Sequence, residues 1–420
     1  MNHKNAIILS LDEEIKEIID LADSLDYKII ETFIQHRQNP DVNSYLGSGK
    51  IEEITDFVEE TDKEIELVIV DGELKPSQWF NLEKKFGINV FDRLRLILAI
   101  FEERADKKEA KLQVKLAQLQ YERPFVRELI HRARAGEHPG FMAGGEYQVD
   151  DYYEMIKKQM KKIKEQLKRI NIQRKVRRRH RHVIGFYLVS LAGYTNAGKS
   201  SLLNLLSGEK VKVEGKLFST LSTTTRKISK KSVPILITDT VGFIQNLPAY
   251  VINAFHSTLE EIEVADIVLL VIDISEDKKI IKNKLKVSLD ELIELGVKSP
   301  VIITFNKSDE IHKNEIDARI EYLKKQGFLE GKKIVIISIK ENKNIDKLLK
   351  IIHESLPKLV RLKIKLPINK ETQSFISWIY EKANVFDITY SDYVTLTVDC
   401  NSSLRSKIIK RIKELNGLEI

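Results

Sequence analysis

The chain has 420 residues, of which 42% are hydrophobic and 31% charged, with a formal net charge of +7. This length is enough for about two to four domains. The longest apolar runs are only strand-length, so we expect no membrane-spanning helix, and the first residues lack the apolar core of a signal peptide. The one cysteine, Cys400, excludes a disulfide framework or a thiolate metal site and favours a cytoplasmic location.

Strand-like and helix-like stretches alternate over residues 1–90, which predicts a small α/β domain. The strand-like stretches are residues 6–9, 28–34, 67–70 and 88–91, separated by helical patterns near 12–24, 50–60 and 76–86. Residues 45–50 read YLGSGK, a glycine-rich run that could contact a phosphate. Because no Ser or Thr follows its lysine, we interpret this run as a plain loop-to-helix turn.

Residues 91–182 have a helical pattern. Apolar side chains repeat at heptad-like spacing over 92–122 and again after 150, at Leu98, Phe101, Ala105, Leu112 and Leu119, then Ile156, Met160, Ile163, Leu167 and Ile170. We expect an antiparallel helical hairpin whose first helix ends at or near Pro124. Its connector, about 132–148, is glycine-rich and too long for a simple turn, which is typical of a functional or disordered segment.

The second helix of the hairpin is strongly basic. Residues 151–182 contain 13 Lys or Arg and 3 acidic residues, so the rest of the chain is slightly acidic. The densest run precedes the next domain and consists of Arg174, Lys175, Arg177, Arg178, Arg179 and Arg181. This density favours nucleic-acid contacts, made to phosphates because aromatic residues are sparse there, over a merely solvated helix face.

A phosphate-binding loop of the pattern GxxxxGK[ST] follows the apolar run 183–191, which we predict to be a strand. It comprises Gly193, Tyr194, Thr195, Asn196, Ala197, Gly198, Lys199 and Ser200, and Ser201 begins the following helical stretch. Backbone N–H groups and the helix N-terminus would surround the phosphates. Lys199 would reach the β- and γ-phosphates, and the Ser200 hydroxyl would bind magnesium.

A DxxG sequence ends the next predicted strand and is made of Asp239, Thr240, Val241 and Gly242. Asp239 can hold magnesium through water, and the Gly242 N–H can contact the γ-phosphate. Upstream, the hydroxyl-rich residues 220–226 could place one threonine on magnesium.

An NKxD sequence indicates which base the loop takes. Asn306, Lys307 and Asp309 follow the predicted strand 300–305, and one carboxylate at Asp309 can accept both neighbouring N–H donors of guanine. Asn306 would tie the loop together, and the Lys307 stem would pack over the base. After the strand 333–337, the residues Ser338, Ile339 and Lys340 could offer a backbone N–H to the guanine carbonyl. These elements, in this order and each at a strand end, predict a GTPase.

Residues 359–420 predict a further small α/β domain, with strands near 362–366, 385–390 and 393–399 and helices near 371–383 and 402–414. Trp378 is expected in its core, and we see no recognisable chemistry in this segment. The full prediction is an α/β protein with four domains: an N-terminal α/β domain (1–90), a helical hairpin (91–182), a P-loop GTPase domain with a mostly parallel sheet (183–358) and a C-terminal α/β domain (359–420).

The whole pattern resembles the HflX family of GTPases. The resemblance rests on residues 45–54, 91–101 and 109–121 and on the sequence DTVGFI at 239–244, and it covers about residues 1–356. It implies that Thr224 is the magnesium ligand of the first switch, with Thr223 and Thr225 as alternatives in register. The chain departs from the family at 140–147, where GFMAGGEY stands in place of a GPGET-like sequence.

The resemblance implies a monomeric GTPase that binds the large ribosomal subunit through ribosomal RNA and dissociates or rescues ribosomes under stress. Lys199, Thr224 and Gly242 would carry hydrolysis. Phe243 occupies the position where Ras-type enzymes have a water-orienting glutamine, so we expect slow intrinsic hydrolysis. Asn196 could help bind a potassium ion or could be an ordinary turn residue. Two alternatives stay open: a signalling switch with protein partners, and ATP-dependent RNA remodelling by the N-terminal domain.

Overall fold

The computed structural model describes residues 4–134, 146–183, 186–208, 224–228, 235–240, 242–243, 259–357 and 359–420. The chain divides into two compact units. In the described ranges, the first contains residues up to 168 and the second the residues from 169 onward. None of the helices in these ranges has both the length and the apolar character needed to cross a bilayer.

The N-terminal residues form a four-stranded parallel sheet in the order β2-β1-β3-β4. Its elements are β1 (Lys4–Ser10), α1 (Lys16–Asp23), β2 (Tyr27–Ile34), α2 (Ser48–Glu60), β3 (Leu67–Val70), α3 (Pro76–Phe86) and β4 (Asn89–Asp92). The central strands β1 and β3 are mostly apolar and buried because helices cover both faces of a parallel sheet. All four residues of β3 are buried, for example.

The glycine-rich run 45–50 forms the turn that starts α2. Gly47 precedes the first helical residue, and its N–H donates to Gln35 Oε1 at 2.7 Å. Lys50 pairs with Glu53 one turn later, with Nζ 2.7 Å from Oε1. Both groups that a phosphate would use therefore have partners within the protein.

The helical segment contains α4 (Arg93–Arg104), α5 (Lys108–Arg134) and α6 (Glu146–Val183). The single helix that we predicted over 92–122 is wrong, because the chain leaves the helical conformation at Ala105 and begins a new helix at Lys108. The predicted stop at Pro124 is also wrong, because α5 continues through it to Arg134. An internal proline costs about 3 kcal/mol.

Aromatic packing next to this proline accounts for the continuation of α5. The Phe125 ring lies edge-on to Trp79, with centroids 5.4 Å apart, and 4.7 Å from the Tyr121 ring. The helices α5 and α6 share an apolar cluster, as the hairpin prediction requires. It contains Leu116, Leu119, Val126, Ile156, Met160 and Ile163.

The P-loop domain has a six-stranded sheet in the order β10-β9-β8-β5-β7-β6, in which only β6 is antiparallel to its neighbour. The elements are β5 (Tyr187–Gly193), α7 (Lys199–Ser207), β6 (Thr224–Lys227), β7 (Ile235–Asp239), β8 (Ile267–Asp273), α8 (Lys278–Glu294), β9 (Val301–Asn306), α9 (Lys313–Lys325), β10 (Lys333–Ile336) and α10 (Ile345–Ser355). Val183 belongs to α6, so the predicted strand 183–191 begins four residues later than expected. The sheet confirms the predicted fold class.

The C-terminal residues form an antiparallel β-α-β-β-α-β domain. It consists of β11 (Leu359–Pro367), α11 (Lys370–Lys382), β12 (Asn384–Tyr390), β13 (Tyr393–Asn401), α12 (Ser402–Glu414) and β14 (Leu418–Glu419), with sheet order β12-β13-β11-β14. The two-residue strand β14 is absent from the sequence prediction. Trp378 is half-buried against the core and not inside it. Cys400 lies in β13 with 2% of its surface exposed, and burial raises the pKa of its thiol.

Replacing Leu396 by Ala should lower the free energy of unfolding of the C-terminal domain by about 2–5 kcal/mol, because its fully buried side chain packs in the core. The neighbouring Thr395 points to the opposite side of the same strand. The control Thr395→Ala should therefore change stability by about 0.5 kcal/mol or less. Hydrogen exchange at the β11 and β13 amides measures both, and equal losses would contradict this assignment of the two faces.

Candidate nucleotide-binding site

The loop between β5 and α7 has a backbone that requires glycine at both ends. Gly193 has φ +134° and Gly198 has φ +96°. A Cβ at Gly193 would collide with the Val271 carbonyl oxygen, and one at Gly198 with the Asn306 side-chain amide. Asn196, between them, is also left-handed, with φ +61°. The loop can therefore turn sharply against β8 and β9, which is the geometry that lets successive N–H groups face one anion.

The charged group of this loop is buried. Lys199 is 7% exposed, and its Nζ donates to the Tyr194 carbonyl oxygen at 2.7 Å. Burial lowers the pKa of Lys199 to about 8, against the opposing effect of the Asp239 carboxylate. Ser200 Oγ donates to Asp239 Oδ2 at 2.6 Å. A hydroxyl and a carboxylate thus meet beside an ammonium group, an arrangement suited to a magnesium–phosphate pair.

The residues fit magnesium held mainly by phosphate and water. Among the described residues no group of three His, Cys, Asp or Glu could enclose a metal ion. Magnesium commonly keeps several waters and takes only one or two protein oxygens beside phosphates. Ser200 and Asp239 supply two such oxygens, so the donor set is adequate for that ion.

The DxxG element is fastened to the phosphate loop. Phe243 N donates to the Gly193 carbonyl at 3.0 Å, and Thr195 N donates to the Phe243 carbonyl at 3.1 Å. A Cβ on Gly242 would lie 2.8 Å from Lys199 Nζ. A side chain at Gly242 would therefore displace Lys199 or Thr195. The buried Phe243 ring has no group that could hydrogen-bond to water.

Other residues of the two phosphate-side motifs lie at the end of β7 and at the start of α7. Thr240 Oγ1 donates to the Leu191 carbonyl at 2.7 Å, which fixes the end of β7 beside β5. Ser201 lies in the first turn of α7 and is half-buried. Val241 is outside the described residues.

Asn306 joins the two ends of the site. Its Nδ2 donates to the Ala197 carbonyl at 3.0 Å, and its Oδ1 accepts from Ile339 N at 3.3 Å. The phosphate loop, the NKxD loop and the loop after β10 are thereby held by one buried amide. Lys307 follows with φ +63°, and its Nζ lies 2.5 Å from Asp273 Oδ2. This ion pair anchors the Lys307 stem that we expect to cover the base.

Asp309 is aimed by a neighbouring hydroxyl. Ser338 is fully buried, and its Oγ donates to Asp309 Oδ1 at 2.6 Å. This bond is the main cause that lowers the pKa of Asp309, with a smaller contribution from Lys340. The carboxyl group is therefore ionised at neutral pH and acts only as an acceptor, which matches the two adjacent donors of guanine.

Two roles were missed from the sequence. We expected Ser338 to contribute only through the backbone of its loop, whereas its hydroxyl positions Asp309. Asp273, which also accepts from Ser275 Oγ at 2.6 Å, was not singled out at all. The signal in the sequence was an aspartate at the end of the apolar run that becomes β8.

The threonine expected on magnesium lies beside Asp239. Thr224 begins β6 and stands directly opposite Asp239 in the antiparallel pairing with β7. Residues opposite each other in such a pair project to the same face of the sheet. Thr225 Oγ1 lies 3.3 Å from Thr238 Oγ1 instead. Thr223 is outside the described residues, and the ligand role of Thr224 stays a prediction.

The basic run lies within the last ten residues of α6, about three helical turns. Arg174 is only 8% exposed, which argues against it as an RNA contact. For Lys175, Arg177, Arg178, Arg179 and Arg181 the structure describes the helical backbone and not the side chains, so their contacts stay a prediction. The glycine-rich tip of the hairpin, including 140–145, lies outside the described residues, and Glu146 and Tyr147 begin α6.

Comparison with known proteins matches three family descriptions along the chain. Residues 12–102 match "GTP-binding GTPase N-terminal", 104–181 match "GTP-binding GTPase Middle Region", and 188–307 match "50S ribosome-binding GTPase". Among solved structures, a complex of SsGBP with GDP has a TM-score of 0.51 and 27% identity, covering 84% of this chain and 98% of the other.

The fold and the site together define a P-loop GTPase. The chain is 38% identical to GTPase HflX of Thermococcus kodakarensis, a match that covers 96% of this chain and 92% of that protein. It is 40% identical to GTPase HflX of Methanocaldococcus jannaschii, over 90% and 91% respectively. The chain belongs to the HflX family of GTPases.

Replacing Asp309 by Asn should weaken GDP binding by about 100-fold, because the amide presents a donor to a guanine donor. Binding of xanthosine diphosphate should improve, since xanthine has a carbonyl where guanine has its amine. Glu310→Gln, at the exposed neighbouring position, serves as the control. Calorimetry with both nucleotides measures the effect, and an unchanged preference for guanine would contradict the assigned role of Asp309.

The affinity for GDP should fall by about tenfold between pH 7 and pH 9. Lys199 has a pKa lowered to about 8, and bound phosphate favours the charged form, so binding above pH 8 must first return a proton to the amine. Below pH 8 the amine is already charged and affinity should be level. Calorimetry in buffers of different ionisation enthalpy should also detect proton uptake at pH 9. Constant affinity over this range would refute the assignment.

Proposed function

We propose that this GTPase, with GTP bound, associates with the large ribosomal subunit in the cytoplasm and separates or rescues ribosomes under stress. The proposal rests on the short connection between the basic helix α6 and the strand that leads into the phosphate-binding loop. The basic end of α6 stops at Val183, and the strand that presents the phosphate-binding loop, β5, begins at Tyr187. The description matched by residues 188–307, a 50S ribosome-binding GTPase, supports the choice of partner.

The site residues then have the following proposed roles. The loop 193–200 with Ser201 surrounds the phosphates, and Ser200, Thr224 and, through water, Asp239 hold magnesium. Gly242 contacts the terminal phosphate with its N–H, while Asn306, Lys307 and Asp309 with residues 338–340 bind guanine. Magnesium would supply charge neutralisation of the phosphates.

The left-handed backbone of Asn196 is common for a turn residue. It also leaves the side chain available to a potassium ion beside the phosphates. Potassium remains part of the proposal at this position only. Nothing else in the chemistry of the described site requires it, because the loop N–H groups and Lys199 already face the phosphates with positive charge.

Hydrolysis should be slow in the isolated protein and faster by about 100-fold or more with ribosomes. Phe243 stands where a water-orienting glutamine is found in Ras-type enzymes and cannot hydrogen-bond to water. The remaining catalytic groups, Lys199, Thr224 and Gly242, neutralise charge without placing the water, so the partner must order that step. Single-turnover phosphate release with and without large subunits measures this, and a fast rate that ribosomes leave unchanged would contradict it.

Association with ribosomes should depend on the basic end of α6 and on salt. The triple variant Arg177→Glu, Arg178→Glu, Arg179→Glu should lower the slope of log affinity against log salt by about 3, one for each lost phosphate contact. A matched variant reverses three exposed lysines of α9, at Lys313, Lys324 and Lys325. Sucrose-gradient sedimentation with a non-hydrolysable GTP analogue measures both, with Lys199→Ala as the nucleotide control.

Equal retention of the two triple variants on ribosomes would overturn the RNA contact. Absence of any sedimentation with ribosomes would overturn the proposed partner and favour the signalling switch. In either case the GTPase site would be unaffected, because the substituted arginines lie outside it.

A further inference from the structure

The sheet of the C-terminal domain has one covered face and one open face. In β11, Leu362, Ile364 and Leu366 are at most 1% exposed and belong to the core with α11 and α12. The alternate residues of this strand project to the other side. These are Arg361, Lys363 and Lys365, so the middle of the open face carries three cations in a row.

Two aromatic side chains lie on the same open face. Tyr393 alternates with the buried Val394 at the start of β13 and is 46% exposed. Phe386 occupies the irregular position of β12, between Val385 and Asp387 in the pairing with β13, and is 57% exposed. Both rings are therefore accessible from the open side of the sheet.

Each ring has a cation placed against it. The Arg361 guanidinium lies 4.4 Å from the centroid of Phe386, and Lys365 Nζ lies 4.2 Å from the centroid of Tyr393. Asp399 holds the Arg361 guanidinium with two bonds of 2.9 and 3.0 Å. The geometry of the Arg361–Phe386 pair is therefore set by the sheet itself.

Between the two rings lie two cations, Lys363 and Lys365, and one carboxylate, Asp387, which stands opposite Thr397 in the pairing of β12 with β13. Within the described residues, no carboxylate forms an ion pair with Lys363 or Lys365, and Thr395 and Thr397 stand opposite them in the register. The rings lie near opposite ends of β13, about 17 Å apart at the strand rise of about 3.3 Å per residue. This distance suits several nucleotides of an extended strand.

We propose that this open face binds single-stranded RNA, with bases stacked on Phe386 and Tyr393 and phosphates bound by Lys363 and Lys365. Every base has a face that can stack on an aromatic ring, and an exposed four-stranded sheet with aromatic residues is a known platform for this. An uncharged or basic protein partner would use the apolar rings but would leave the lysines without matching charge. The domain has ten Lys or Arg against seven Asp or Glu, which adds to the attraction.

The proposal concerns a surface separate from the GTPase site and from the basic end of α6, and it does not depend on the ribosome as partner. Its test therefore uses the full chain carrying Arg177→Glu, Arg178→Glu and Arg179→Glu, so that RNA binding at α6 is removed. The probe is a fluorescent oligouridine of about 12 nucleotides.

The aromatic platforms are tested by the added pair Phe386→Ala and Tyr393→Ala. Anisotropy should show affinity for the oligonucleotide weakened by about 20-fold or more. The matched control is Tyr390→Ala: this tyrosine is 56% exposed, but its register opposite Val394 places it on the covered side of the sheet. It should change affinity by less than about threefold.

The phosphate contacts are tested by Lys363→Glu with Lys365→Glu, which should lower the salt slope by about 1.4, since single strands give about 0.7 per phosphate. Reversal of Lys407 and Lys410, exposed on α12, is the control and should leave the slope unchanged. Photo-crosslinking with 4-thiouridine in the same oligonucleotide should label peptides of β12 and β13.

Three results would overturn the proposal. One is crosslinking confined to other parts of the chain. Another is equal loss of affinity in the open-face variants and in their controls. The third is an absence of RNA binding combined with capture of a purified ribosomal protein that the two aromatic substitutions abolish.

Discussion

The nucleotide site depends on one buried amide. Asn306 donates to the Ala197 carbonyl of the phosphate loop and accepts from the Ile339 N–H of the loop after β10. Asn306 is 3% exposed, so neither bond competes with water. The glycine at position 198 is needed because this amide passes so close to the loop. The distance between the phosphate-binding and base-binding ends is thus set before any nucleotide enters, and both ends must shift together.

Most of the nucleotide site could be predicted from the sequence because its requirements are local. The loop needs glycine at Gly193 and Gly198, where the backbone is left-handed, and it needs a strand before it. Both requirements can be recognised in a short stretch of sequence. The role of the Ser338 hydroxyl could not be predicted, because Ser338 lies 29 residues after Asp309 and the two meet only through the pairing of β10 with β9. The same holds for the open face of the C-terminal sheet, which appears only when the register of three strands is known.

The errors in the helical segment have physical causes. The break between α4 and α5 falls at Ala105, where neither glycine nor proline marks an end, and the apolar spacing happens to continue across it. At Pro124 the local cost of a missing hydrogen bond is real, and the contacts of Phe125 with Trp79 and Tyr121 offset part of it. In this segment, helix ends predicted from single residues such as proline were wrong where tertiary packing contacts stabilise the helix.

Cys400 has a practical consequence for the whole chain. It is the sole cysteine of the sequence, its side chain lies inside the C-terminal core, and its thiol has a raised pKa. Since thiolates and not thiols react with maleimides, the folded protein should behave as though it had no cysteine. A pair of cysteines introduced on the surface would then take dyes selectively, and energy transfer between them could follow the two units through the nucleotide cycle without removal of the natural residue.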